Sequence, residues 1–160
     1  MKELIIIRHA KAEQGQGIDS KRKLTERGHH DAELMAKRLL DQGYKIEKIF
    51  ASPSERTKET TSHFATIHQV PENDIKYFDE LYLGDTLQIT EAITWLQQNV
   101  KTLAVIAHNP GVTNFTNDTT NSFIESLPTS GISIIQLDAA DWQQFETSKK
   151  TLVQVLSPKG

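Results

Sequence analysis

Two arginines and two histidines draw notice by position rather than by number. Arg8 and His9 follow Leu4-Ile5-Ile6-Ile7, and His108 follows Leu103-Ala104-Val105-Ile106-Ala107. Arg56 comes just after Ser52-Pro53, at what reads as a helix start. A guanidinium is a planar fork of donors matched to an oxyanion, and an imidazole is a nucleophile or proton carrier near neutral pH. Gathered at one place, two guanidiniums and two imidazoles would repel one another unless they held an anion. Phosphate fits best, since charge-assisted hydrogen bonds to its oxygens are strong. Phosphoryl transfer needs in-line positioning and stabilised charge on the equatorial oxygens, which such a ring supplies without a metal.

The elements around these residues must bring them together. Leu4 to Ile7 is a buried strand, rich in β-branched residues. Residues 11–23 are polar, contain two glycines and read as a loop. Thr25 caps a helix whose apolar face is Ala32, Met35, Ala36, Leu39 and Leu40, with Gly43 as its stop. Ile46 and Ile49 to Ala51 make a second strand. Ser52 as N-cap, Pro53 at the first helical position and Glu55 closing a capping box then start a helix reaching toward Pro71. Arg56 falls in its first turn, where free N–H groups favour an anion.

Asp74 to Phe78 reads as a third strand, 79–84 as a loop, and Asp85 as the cap of a helix carrying Ile89, Ala92, Ile93 and Leu96. Leu103 to Ala107 is the second clear buried strand; Asn109 and Pro110 begin another helix, while 116–122 reads as loop. Ile132 to Leu137 and Thr151 to Leu156 are late strands joined through Trp142 and Phe145. Strands alternating with helices argue for a three-layer α/β/α single domain spanning 1–160, its central sheet mostly parallel with a mixed or antiparallel edge. In such sheets ligands bind beyond the carboxyl ends of the strands, where Arg8, His9, Arg56 and His108 would lie.

Composition narrows the alternatives. A net charge of −3 over 160 residues gives no general reason to expect nucleic-acid binding, and the absence of cysteine excludes a thiol nucleophile. No apolar run approaches the roughly 20 residues of a membrane-spanning helix, and no signal-peptide pattern precedes the first strand. A cytoplasmic protein without cofactor or metal is the expectation.

Arg8-His9-Ala10 resembles the Arg-His-Gly/Ala signature of the histidine phosphatase (phosphoglycerate mutase-like) superfamily. Leu24-Thr25 with Gly28, Ser52-Pro53 with Arg56 and Thr60, and Ala107-His108-Asn109-Pro110-Gly111 resemble its later motifs in order. Pro128-Thr129-Ser130-Gly131 and Ser157-Pro158-Lys159 resemble the small bacterial phosphohistidine phosphatase (SixA-like) branch. The resemblance implies His9 as the phosphorylated nucleophile, Arg8 and Arg56 as ligands of the phosphoryl oxygens, and His108 as a hydrogen-bonding partner of the transferring group. It also implies a phosphohistidine-bearing protein as substrate, with a small phosphate ester as the alternative. For an ester, Glu80 is the expected proton donor and Asp79 the weaker candidate. A non-catalytic phosphate-binding module ranks last, since binding alone needs no nucleophilic imidazole.

Other polar residues are expected to be ordinary. His29, His30, His63 and His68 read as surface residues, and Trp95 and Trp142 as packing. Lys21-Arg22-Lys23 reads as a solvated turn that could help attract an acidic substrate.

Overall fold

Leu4 to Ile7 form the middle of strand β1 (Lys2–Arg8), in which all four are fully buried. A strand buried on both faces needs apolar residues at consecutive positions, and this run supplies them. The computed structural model describes residues 1–15 and 17–159. Its further strands are β2 (Lys48–Ala51), β3 (Ile75–Tyr77), β4 (Thr102–Ala107), β5 (Ile132–Asp138) and β6 (Lys149–Leu156). Its helices are α1 (Glu26–Asp41), α2 (Glu55–His68), α3 (Thr86–Trp95) and α4 (Gly111–Thr120).

The strands make one sheet in the order β3-β2-β4-β1-β5-β6. The pairings β2–β3, β2–β4 and β1–β4 are parallel, whereas β1–β5 and β5–β6 are antiparallel. Side chains alternate across the sheet. Ile5 and Ile7 join Met35, Leu39 and Phe64 in one core, under α1 and α2. Leu4 and Ile6 join Ile89, Ile93, Val112 and Phe115 in the other, under α3 and α4. This is a mixed α/β fold with helices on both faces, as the strand–helix alternation predicts.

Several local expectations shift. The third strand is shorter than 74–78, because a 3-10 turn occupies Glu72–Asp74. The helix after β2 begins two residues late, with Ser54 rather than Ser52 at the N-cap and no capping box. The hydroxyls are engaged elsewhere: Ser54 Oγ bonds Thr57 Oγ1, and Ser52 Oγ meets His108. Asn109 is not a cap either. Pro110 holds that position, while Asn109 Nδ2 donates to Ser126 Oγ and the Leu127 carbonyl.

The polar stretch 116–122 is helical as far as Thr120. Its threonine hydroxyls bond back to carbonyls one turn earlier, Thr116 to Val112, Thr119 to Phe115 and Thr120 to Thr116. A hydroxyl satisfied inside the helix no longer competes with it. Trp142 and Phe145 lie buried in a 3-10 segment, Trp142–Thr147, with Phe145 stacked on Phe115 at 5.7 Å.

Candidate active site

Because β4 lies between β1 and β2, the ends of these three parallel strands sit side by side. Arg8 and His9 close β1, His108 follows β4, and Ser52 to Arg56 follow β2. The His9 and His108 rings approach to 5.2 Å between centroids, tilted by 60°, and Arg56 reaches His108 at 3.2 Å. All four residues expected to converge belong to this edge of the sheet.

The His9 backbone is held from both sides. Its N–H donates to the Ala107 carbonyl at 3.0 Å, and the Ser130 N–H is shared between the Arg8 and His9 carbonyls at 3.2 and 3.1 Å. Ser130 has φ of 62°, the left-handed conformation needed to aim its N–H at both. The next residue is tied to α2, since Thr60 Oγ1 accepts from the Ala10 N–H and donates to the Arg56 carbonyl. Gly28 and Gly111 permit two more close approaches: a Cβ would lie 2.1 Å from the Lys11 carbonyl oxygen at the first and 2.0 Å from that of Gly84 at the second.

Partner chemistry fixes the imidazole tautomers. His9 Nδ1 lies 2.7 Å from the Ala10 carbonyl oxygen, which can only accept. Nδ1 therefore carries the proton, and Nε2 keeps its lone pair. At His108 the order is reversed: the Arg56 guanidinium only donates, so Nδ1 accepts and Nε2–H donates to Ser52 Oγ at 2.8 Å.

Burial drives the His9 pKa down to about 4, and repulsion from Arg56 and Arg8 acts in the same direction. The bond to Ala10 opposes this only in part. Burial likewise lowers His108 to about 3, helped by His9 and Arg56. Both rings are neutral at pH 7. Nearby, Arg8 Nε, Arg56 Nε and Ser130 Oγ are buried and lack partners among the described residues. Buried donors without acceptors are costly, and an oxyanion would satisfy them.

Two residues at this edge went unnoticed in the sequence. Asp19 lies on Arg56, its carbonyl accepting from Nη1 at 2.8 Å and its carboxylate from Nη2 at 3.0 Å. The Tyr82 hydroxyl donates to the same carboxylate, and the Tyr82 ring stands edge-on to His108 at 5.4 Å. Hydrogen bonds from Tyr82, Arg22 and Arg56 hold the Asp19 carboxyl well below its ordinary range, while Asp19 pushes the Tyr82 hydroxyl up. Asp19 comes from an aperiodic loop, so no spacing pointed to it. Tyr82 lies in the segment singled out for Glu80. Glu80 and Asp79 are exposed on the 3-10 turn Asp79–Leu81, and no side-chain hydrogen bond joins either to His9, Arg56 or His108 among the described residues.

The remaining histidines need correction. His68 is fully buried, accepting from the Ile46 N–H at Nδ1 and donating from Nε2 to the Ala36 carbonyl. His29 and His63 pair across α1 and α2, with Nδ1 and Nε2 2.8 Å apart. His30 is exposed, as expected. Among the described residues no group of three or more His, Cys, Asp or Glu side chains is placed to hold a metal ion, and no helix is long and apolar enough to cross a membrane.

The fold and its strand-end cluster define a phosphatase built on a mixed α/β sheet. A family model described as the Histidine phosphatase superfamily (branch 1) matches residues 4–122, and the chain belongs to that superfamily. An uncharacterized protein of Mycobacterium leprae is 27% identical over 96% of this chain and 100% of its own length. The structure of the protein histidine phosphatase SixA complexed with tungstate superposes with a TM-score of 0.85 at 26% identity, covering 98% of this chain and 97% of that one. The fold is also shared with the putative phosphohistidine phosphatase SixA from Agrobacterium tumefaciens, at a TM-score of 0.82 and 23% identity over 98% of each chain. A mycobacterial glucosyl-3-phosphoglycerate phosphatase shares it more distantly, at 0.75 and 12% identity over 96% of this chain and 97% of that one.

Proposed function

We propose that the protein removes phosphate from phosphohistidine displayed on another protein, through a covalent intermediate on His9. One observation supports this reading: among the described residues the core of the site holds two unprotonated imidazoles and an ionised carboxylate, and so no histidine or carboxyl acid poised to protonate a leaving group. His9 and His108 are neutral at pH 7, with pKa values about 4 and about 3, and Asp19 is held ionised by Tyr82, Arg22 and Arg56. An alkoxide leaving from an ester needs a proton donor. A phosphohistidine imidazole instead takes up its proton from solvent and leaves as neutral imidazole.

In the proposed sequence His9 Nε2 attacks phosphorus in line while the P–N bond to the substrate imidazole breaks. Arg8 and Arg56 bind the equatorial oxygens, two guanidiniums supplying the charge neutralisation that a metal ion supplies elsewhere. Arg56 must turn from Asp19 and His108 toward phosphate. His108 Nδ1 then changes from acceptor to donor, because Ser52, as a hydroxyl, can donate to Nε2 as readily as it accepts. Water next attacks phospho-His9; the P–N bond to His9 breaks, Nε2 regains its lone pair and inorganic phosphate departs. The surface beside His9 is an open-sided groove, suited to a residue presented by a protein. Tungstate in the SixA structure, a tetrahedral oxyanion, is in keeping with phosphate as the group held.

The test is rapid quenching with a phosphorus-labelled phosphohistidine protein. Acid-labile, base-stable label on His9, absent in His9→Ala, is the expected result; full turnover by His9→Ala would overturn the mechanism. In the ester reading Glu80 is the proton donor, and Glu80→Gln separates the two. It would cripple ester hydrolysis and leave phosphohistidine hydrolysis unchanged.

A further inference from the structure

Beside the nucleophile the surface opens into a groove of about 560 Å3, bounded by Arg8 and His9. The loop after β1, the first turns of α1, Pro128-Thr129 and the segment Ser157-Pro158-Lys159 make up the rest of its walls. Lys11, Arg22, Arg27 and Lys159 line it, against one carboxylate, Asp31. The chain as a whole carries −3, so this concentration of positive charge is local rather than inherited from composition.

The four cations are not equivalent. Arg22 is paired with Asp19 and Arg27 with Asp31, each at 3.1 Å. Lys11 and Lys159 are exposed and enter no ion pair among the described residues. Both nevertheless stand on anchored backbone. The Lys11 carbonyl accepts from the Thr25 N–H at 3.0 Å, and the Ser157 carbonyl, two residues before Lys159, accepts from Arg38 Nη1 at 2.6 Å. Besides Arg8, the groove thus holds two lysines without an ion pair among the described residues, on separate segments, and Lys11 is two residues from His9.

We propose that this groove receives an acidic stretch of the substrate protein next to the phosphorylated residue, with Lys11 and Lys159 meeting its carboxylates. The inference rests on the reading of the preceding subsection and adds to it the charge of the partner's surface. A groove of this size lies within the roughly 300–1,000 Å3 range of pockets that enclose ligands much larger than one phosphate. Ala12, Pro128 and Pro158 in its walls offer apolar surface for main chain between the charges. Charges around the rim of an interface act chiefly on encounter and on salt dependence.

Two phosphohistidine peptides test it, one with Asp and Glu flanking the phosphorylated residue and one with Asn and Gln in their place. Phosphoramidate, a small donor with no flanking residues, reports whether phosphoryl transfer itself is intact. The wild type should show a KM lower on the order of tenfold for the acidic peptide, an advantage that shrinks as salt rises. In Lys11→Glu/Lys159→Glu the ratio of the two KM values should fall to about one or invert, each peptide serving as the control for the other. Equal KM values for the two peptides in the wild type would overturn the groove inference and leave the substrate reading standing. So would a preference that survives the double charge reversal. Failure to turn over either peptide, with an ester hydrolysed instead, would overturn both. The salt series on the wild type does not depend on any variant folding.

Discussion

Two histidine pairs in this molecule have nearly the same internal geometry and almost nothing else in common. His9 and His108 lie 5.2 Å apart at 60°; His29 and His63 lie 5.1 Å apart at 66°. The first pair is buried at the strand ends, makes no direct bond between its rings and faces two arginines. The second lies partly exposed between α1 and α2, ring nitrogen against ring nitrogen, with Glu59 at 3.8 Å from His29. At His9 and His108 burial and guanidinium charge both oppose protonation, and the backbone fixes which His9 nitrogen is bare. At His63 burial and His29 lower the pKa, but Glu33 and Glu59 pull it back. Proximity of two imidazoles is therefore no mark of a site. The charge around them and the hydrogen bond that fixes the tautomer are.

The contrast is broken most directly by deleting one ring from each pair. On the proposed mechanism His9→Ala should lower kcat on the order of 10⁴-fold or more, as removal of a covalent nucleophile does in other enzymes. His63→Ala should leave kcat within about twofold, since His63 pairs with His29 and makes no hydrogen bond to Arg8, His9, Arg56 or His108 among the described residues. Parallel kinetics on one phosphohistidine substrate check both, and comparable losses would erase the distinction.

Next in size is removal of the charge that sets the first pair apart. Arg56→Ala should reduce kcat by roughly 10²–10³-fold through lost stabilisation of phosphoryl charge. It should also raise the pKa of His9 and His108, since Arg56 lowers both. The acid limb of kcat/KM would then move to higher pH, which a pH series on the residual activity detects.

The wild-type profile itself carries a sharper form of the comparison. On the proposed mechanism His9 attacks only when neutral. Its own titration should therefore leave kcat/KM untouched from pH 7 to about 5 and cut it as pH drops through the apparent value near 4 of the coupled pair, once the titration of the substrate imidazole is divided out. An ordinary imidazole would already have lost most of its activity by pH 5.5. The same shift bears on folding. An unfolded histidine binds its proton near pH 6.5, so stability contributed by the buried neutral rings is full above that and lost as pH falls toward about 4. Denaturant midpoints between pH 7 and 4 measure it.

A third histidine gives a smaller, purely structural effect. His68→Leu removes two buried hydrogen-bond partners, and should cost about 1–3 kcal/mol while leaving kcat unchanged. Its counterpart at the surface, His29→Gln, should cost no more than about 0.5 kcal/mol. Urea unfolding of the two variants separates them.

Much of this was legible before any coordinates. Leu4 to Ile7 and Leu103 to Ala107 fixed the two central strands, and their ends delivered Arg8, His9 and His108 to one edge because parallel neighbours share a direction. What remained hidden was side-chain hydrogen bonding. Ser52 has the right type and place for an N-cap, yet its hydroxyl serves His108, and the cap moves to Ser54. Thr116, Thr119 and Thr120 look like loop residues until their hydroxyls are seen to fold back on the helix. Asp19 and Tyr82 join the site from segments without periodicity, and no local pattern records a contact over 63 positions.

The position of β1 in the sheet has a consequence for the chain's synthesis. Its two neighbours are β4, which starts at Thr102, and β5, which starts at Ile132. This strand is made before both, and about a hundred more residues, roughly 5–20 s at ordinary elongation rates, are needed before either neighbour exists. Throughout that interval Leu4-Ile5-Ile6-Ile7 is an unpaired, uncharged run of the kind that seeds aggregation. Until then α1, whose Met35 and Leu39 share a core with Ile5 and Ile7, is the element at hand to cover one face of the strand that leads to His9.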